Sequence, residues 1–130
     1  MSNELETVMR QYVHETESWR RLLTFFQQET AYLKTRLAEI VSSTPGTKLV
    51  DLAEEFQEKF IAQDRTIEFL TEELRHHEAL LQTDVTGPDV LFDEVVRDQH
   101  RLRKDIQKVE QIFYQLEEEF AAHLAELFVA

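Results

Sequence analysis

The stretch "FQEKFIAQDRTIEFLTEELRHHEALL", Phe56 to Leu81, decides the fold. Two rows run through it. Phe56, Gln63, Leu70 and His77 recur every seven residues, and Phe60, Ile67, Leu74 and Leu81 follow four positions behind them. An α-helix turns once in 3.6 residues, so steps of four and three keep both rows on one side of it. A strand would need apolar and polar residues to alternate with period two. The stretch is therefore an amphipathic helix. Its seam carries two polar interruptions, Gln63 and His77.

The same pattern extends outward. Leu49 and Ala53 continue the two rows toward the N-terminus. Only two breaks interrupt the chain: "SSTPGTK", Ser42 to Lys48, and "TDVTGP", Thr83 to Pro88. Both combine Gly, Pro and hydroxyl residues, the usual punctuation between helices. With two Gly and two Pro in 130 residues, little else can stop a helix. Pro88 suits a helix start, where its missing N–H costs nothing, and Asp89 suits the positive end of the helix dipole.

The breaks leave three segments, roughly 4–42, 48–82 and 88–128. The first carries Leu5, Tyr12, Trp19, Phe26, Leu33 and Ile40, with Met9, Thr16, Leu23, Thr30 and Leu37 alongside. The third carries Val95, Leu102, Val109, Leu116 and His123, with Phe92, Gln99, Ile106, Phe113, Phe120 and Leu127 alongside. A sustained seven-residue repeat winds helices around one another, and short connections make sequential helices antiparallel. The expected fold is all-α. It is one domain over 1–130, an elongated up-down-up three-helix bundle with coiled-coil-like heptad packing and well over two thirds helix. Turns centred near 45 and 85 set Tyr12 level with His77 and Phe92. They set Trp19 level with Leu70 and Gln99, and Phe26 level with Gln63 and Ile106.

Composition narrows function by exclusion. Twenty-six acidic against fourteen basic residues give a net charge of −12. Such a chain is repelled by nucleic-acid phosphates and anionic lipid. It has no cysteine, hence no disulfide, thiolate ligand or Cys nucleophile. "MSNELETVMR" lacks a basic region followed by an apolar run, and no stretch approaches 18 apolar residues. The expectation is a cytoplasmic protein without nucleic-acid or membrane partners and without a cofactor. There is no phosphate-binding glycine loop, and Ser42 and Ser43 sit at a helix end. A thin bundle offers little cleft in which to tune an acid or base. The chain reads as a non-enzyme.

Five histidines raise a metal-binding alternative. "ELRH", Glu73 to His76, has the Glu-x-x-His spacing of carboxylate-bridged sites in bundles. "HRLRKD", His100 to Asp105, has a His-x-x-x-x-Asp spacing. In these spacings the chain resembles ferritin-like and hemerythrin-like bundles. The resemblance implies a site using Glu73, His76, His77 and His14 with neighbouring carboxylates. It departs from those families in lacking a second Glu-x-x-His, and in lacking His-x-x-x-Glu and His-x-x-x-His. The phase also opposes a shared metal. His77 lies on the seam, His76 flanks it, and His14 and His100 point outward. The plainer reading makes Gln63, His77 and Gln99 a buried polar layer that hydrogen-bonds and fixes register. A small-ligand pocket around that layer is a further reading.

Two surface features remain. Arg97, Arg101, Lys104 and Lys108 form a basic stripe that can face Asp64, Glu68, Glu72 and Glu73 on the second helix. Phe25, Tyr32, Ile61, Phe69 and Tyr114 miss the seams and fall at similar heights. Aromatics off the core of a charged rod mark a partner surface. They point to an interaction or structural module that self-associates or accepts a helix from another protein.

Overall fold

In the computed structural model, residues 2–44, 46–83 and 89–128 are described. They form three α-helices: α1, Ser2–Ser43; α2, Thr47–Leu81; and α3, Asp89–Phe128. With lengths of 42, 35 and 40 residues, they make the chain almost wholly helical. Pro88 and the Phe128 side chain lie outside the described residues. The three helices form an up-down-up bundle in which every pair touches, α1 and α2 most extensively and α1 and α3 least. Arg20 on α1 pairs with Glu78 on α2, and Lys34 with Asp64, so later residues of α1 meet earlier ones of α2. Gly46 opens α2 with φ +155°, a backbone conformation that residues with a side chain rarely adopt.

The seams read from the sequence are the buried surfaces along the middle of the bundle, while toward its ends Leu5, Met9, Tyr12, Phe92, His123 and Leu127 are half-buried. Phe26, Phe56, Phe60, Phe113, Leu102 and Val109 are among the fully enclosed side chains. Burying each contributes about 1.5–3 kcal/mol. Thr16 and Thr30 also lie in the seam of α1, and each hydroxyl donates to a carbonyl of its own helix. The core comes in two parts. A long one runs from Trp19 and Leu74 to Ile40 and Phe120. A small one joins Leu81 and Val95 to Met9, Tyr12, Leu80 and Leu91. His77 and Gln99 lie between them along the chain.

One expectation is corrected. Turn midpoints set Phe26 level with Ile106, but its ring meets Phe113 at 4.9 Å. They set His77 level with Phe92, but it bonds Gln99. Both corrections move α3 by seven residues. A heptad seam matches itself after a slip of seven, so apolar pattern alone cannot choose between the two registers. Polar satisfaction can. In the midpoint register His77 would face Phe92 and Gln99 would face Leu70, apolar side chains that offer no hydrogen bond across the α2–α3 seam. In the observed register they bond to each other.

Candidate functional site

The polar layer is built from all three helices. Gln99 lies on the α3 seam and is fully buried. Its amide nitrogen donates to Glu15 Oε1 at 2.9 Å and to the Tyr12 carbonyl at 3.3 Å. Its amide oxygen is then left to accept from His77 Nε2, at 2.6 Å. That network assigns the proton to Nε2 of His77. His77 Nδ1 is buried and has no partner among the described residues. Glu15 also receives Arg103, with Nε at 2.8 Å on Oε2 and Nη2 at 2.6 Å on Oε1. This two-pronged contact is the strongest geometry available to a carboxylate and a guanidinium. Arg103 Nη1 further meets His100 Nδ1 at 3.0 Å.

The hydrogen-bonded Arg103 holds the Glu15 carboxyl below the usual carboxylate range, burial opposes the shift, and Gln99 adds to it. Glu15 in turn raises Arg103. A carboxylate whose folded pKa is depressed stabilises the fold above its unfolded pKa. That contribution is lost as pH falls through the folded value. Wild-type stability should therefore decline from about pH 4.5 downward more steeply than that of Glu15→Gln, with chemical unfolding followed at stepped pH. Equal slopes in the two proteins would show that Glu15 carries no such linkage.

Gln63 is the second buried amide. Its Nε2 donates to the Val109 carbonyl at 3.1 Å. It does not meet His77 or Gln99, so the expected layer is two separate levels. Glu15 and Arg103 were not singled out in the sequence. Each lies three or four residues from a seam residue, Tyr12 and Gln99, and that flanking position was the available signal.

The metal candidates are not brought together. His14 and His76 are exposed, while His77 is buried against Gln99. Glu73 bonds Arg101 at 2.8 Å across the α2–α3 edge. Among the described residues no three His, Asp or Glu side chains are grouped to hold a metal ion. Among the described residues the basic stripe contributes one cross-helix ion pair, Arg101 with Glu73. Asp64 turns instead to Lys34 on α1, and Glu72 to Arg75 on its own helix.

Two grooves lie away from His77 and Gln99. One of about 370 Å³ runs between Leu37, Val41, Val50 and Ala53 near the first turn. Another of about 340 Å³ lies over Gln63, between Lys59, Ile112 and Glu119. Neither opens onto His77.

The aromatics that miss the seams divide by face. Phe25, Tyr32, Phe69 and Tyr114 are 42%, 60%, 64% and 48% exposed, and Ile61 is half-buried. The Phe25 ring meets Phe113, and the Tyr114 ring meets Phe26 edge-on at 6.0 Å. Both therefore flank the α1–α3 seam. Tyr32 shares the outer face of α1 with Phe25, seven residues on. Phe69 lies one turn before Glu73, on the α2 edge that faces α3. Among the described residues no helix is long and apolar enough to cross a membrane. Comparison with known proteins finds no matching family model, no matching curated protein and no matching solved structure.

Proposed function

We propose that this chain is a non-enzymatic interaction module, a helical bundle that works by associating with copies of itself or with a helix of another protein. The observation that carries this reading is the exposure of four aromatic rings on a chain of net charge −12. A chain so rich in charged residues has ample polar surface to present. A large side chain left fully in water forgoes about 1.5–3 kcal/mol relative to burial, and these rings, 42–64% exposed, forgo a part of that. Phe25, Phe26, Phe113 and Tyr114 form a continuous set of ring contacts from the core to the surface. An apolar patch anchored in this way is rigid before contact and loses little entropy on docking.

Charge and apolar burial oppose each other in self-association. Repulsion between acidic copies is screened beyond about 8 Å at physiological salt, whereas apolar burial is not. Association is expected to strengthen as salt rises. Sedimentation equilibrium from micromolar to near-millimolar protein tests this. A mass that grows with concentration, and more so at high salt, supports the module. A monomer throughout, with no helical peptide bound in a panel screen, contradicts it.

A further inference from the structure

We infer that the outer face of α1 pairs antiparallel with the same face of a second copy, the two Tyr32 rings crossing a two-fold axis near Gln28 to seat beside Phe25. The inference rests on the interaction-module reading and names its partner.

Arg21, Phe25, Gln28, Tyr32 and Thr35 follow one another at steps of four, three, four and three. That is a second heptad seam, and every one of these residues is exposed. The seam is free of carboxylates. Between Glu17 and Glu39 the only acidic residue of α1 is Glu29. It is half-buried and lies fourteen residues from Glu15, on the same edge toward α3. On a chain at −12, such a strip lets two copies approach without setting acid against acid. The remaining surface there is cheap to desolvate. The Thr24 and Thr35 hydroxyls already donate to their own helix, at 3.0 and 3.1 Å, and Ala31 carries no polar atom.

The shape of the face selects the partner. A shallow depression of about 240 Å³ lies beside Phe25, lined by Arg20, Arg21, Thr24, Phe25 and Gln28. Arg21, Thr24, Phe25 and Gln28 stand at i, i+3, i+4 and i+7, the four corners of a hole that receives one side chain from a facing helix. An antiparallel copy centred near Gln28 brings its Tyr32 to that hole, and the symmetry fills the matching hole in return. The same placement sets Arg21 within about one turn of Glu39 of the second copy at each end, and sets Arg36 of that copy level with Arg20, whose charge Glu78 already balances. A parallel pairing would instead set Arg21 against Arg21 and Glu39 against Glu39.

The absence of native cysteine makes a direct test available. Gln28→Cys supplies the sole thiol, at the proposed axis, and Gln111→Cys supplies one on the outer face of α3. A disulfide needs Cα atoms within about 7 Å. Under mild oxidation at equal concentration, Gln28→Cys is expected to give covalent dimer about tenfold faster than Gln111→Cys. Adding Tyr32→Glu should abolish that difference. Arg21→Glu should weaken association of the otherwise native chain, and Arg21→Glu with Glu39→Arg should restore it. If the chain associates but Gln28→Cys cross-links no faster than Gln111→Cys, this pairing is wrong and the broader module reading stands. If the native chain stays monomeric, the pairing falls, and a helix of another protein is the partner left for the module.

Discussion

Phe26→Ala is expected to lower the free energy of unfolding by about 3–5 kcal/mol, with a fall in Tm on the order of 10–20 °C. Phe26 is fully enclosed where α1 and α3 meet. Its ring packs on Phe113 at 4.9 Å and meets Tyr114 edge-on. Truncation removes the transfer energy of the ring and leaves a cavity between stiff helices that cannot close fully on it. The α1–α3 contact is the least extensive of the three, so few neighbours can compensate. Phe69→Ala provides the contrast. That ring is mostly exposed, and its loss from a monomer should change stability by no more than about 0.5 kcal/mol. Urea unfolding of the two variants separates them. Similar losses at both positions would mean that the core lies elsewhere.

The helices were legible because Phe56, Phe60, Ile67 and Leu74 repeat at helical spacing for many turns, and because only two breaks interrupt the chain. Topology followed from the shortness of those breaks. The burial of Gln63, His77 and Gln99 followed from their place on the seams. Register did not follow. Seam residues repeat every seven positions, so Phe26 finds an apolar residue whether it meets Ile106 or Phe113. What distinguishes the two alignments is chemistry at a few positions. His77 needs an acceptor, Gln99 needs both a donor and acceptors, and Glu15 needs a cation. Only one alignment supplies all of these. Arg103 escaped notice because it belongs to neither the seam nor the run of Arg97, Arg101, Lys104 and Lys108. It became significant only once Glu15 was placed beside it.

Gln99→Leu is expected to destabilise the bundle by about 1–3 kcal/mol, although it adds apolar surface to the core. The cost arises because His77 Nε2 loses its acceptor while remaining buried. Glu15 also loses a donor, though Arg103 still holds it. His77→Leu alone strands the Gln99 oxygen in the same way. The double variant removes both partners and should cost less than the two single changes together, by about 1–2 kcal/mol. A double-mutant cycle by chemical unfolding measures that difference. Strictly additive costs would mean that the two side chains do not bond. The double variant also removes one of the two features that favour one heptad register over its neighbour, leaving the Glu15–Arg103 pair. With Glu15→Gln added, it should show a second alignment of α3, visible as doubled resonances for the Phe113 and Tyr114 rings.

The register of α1 against α3 is the feature on which the polar layer and the aromatic cluster both depend. Nuclear Overhauser contacts of the Phe26 ring protons read it directly. The expected contacts are to the rings of Phe113 and Tyr114. Contacts to the Ile106 methyl groups in place of both rings would put α3 one heptad away, separate His77 from Gln99, and contradict the assignment of the polar layer as the element that sets the register.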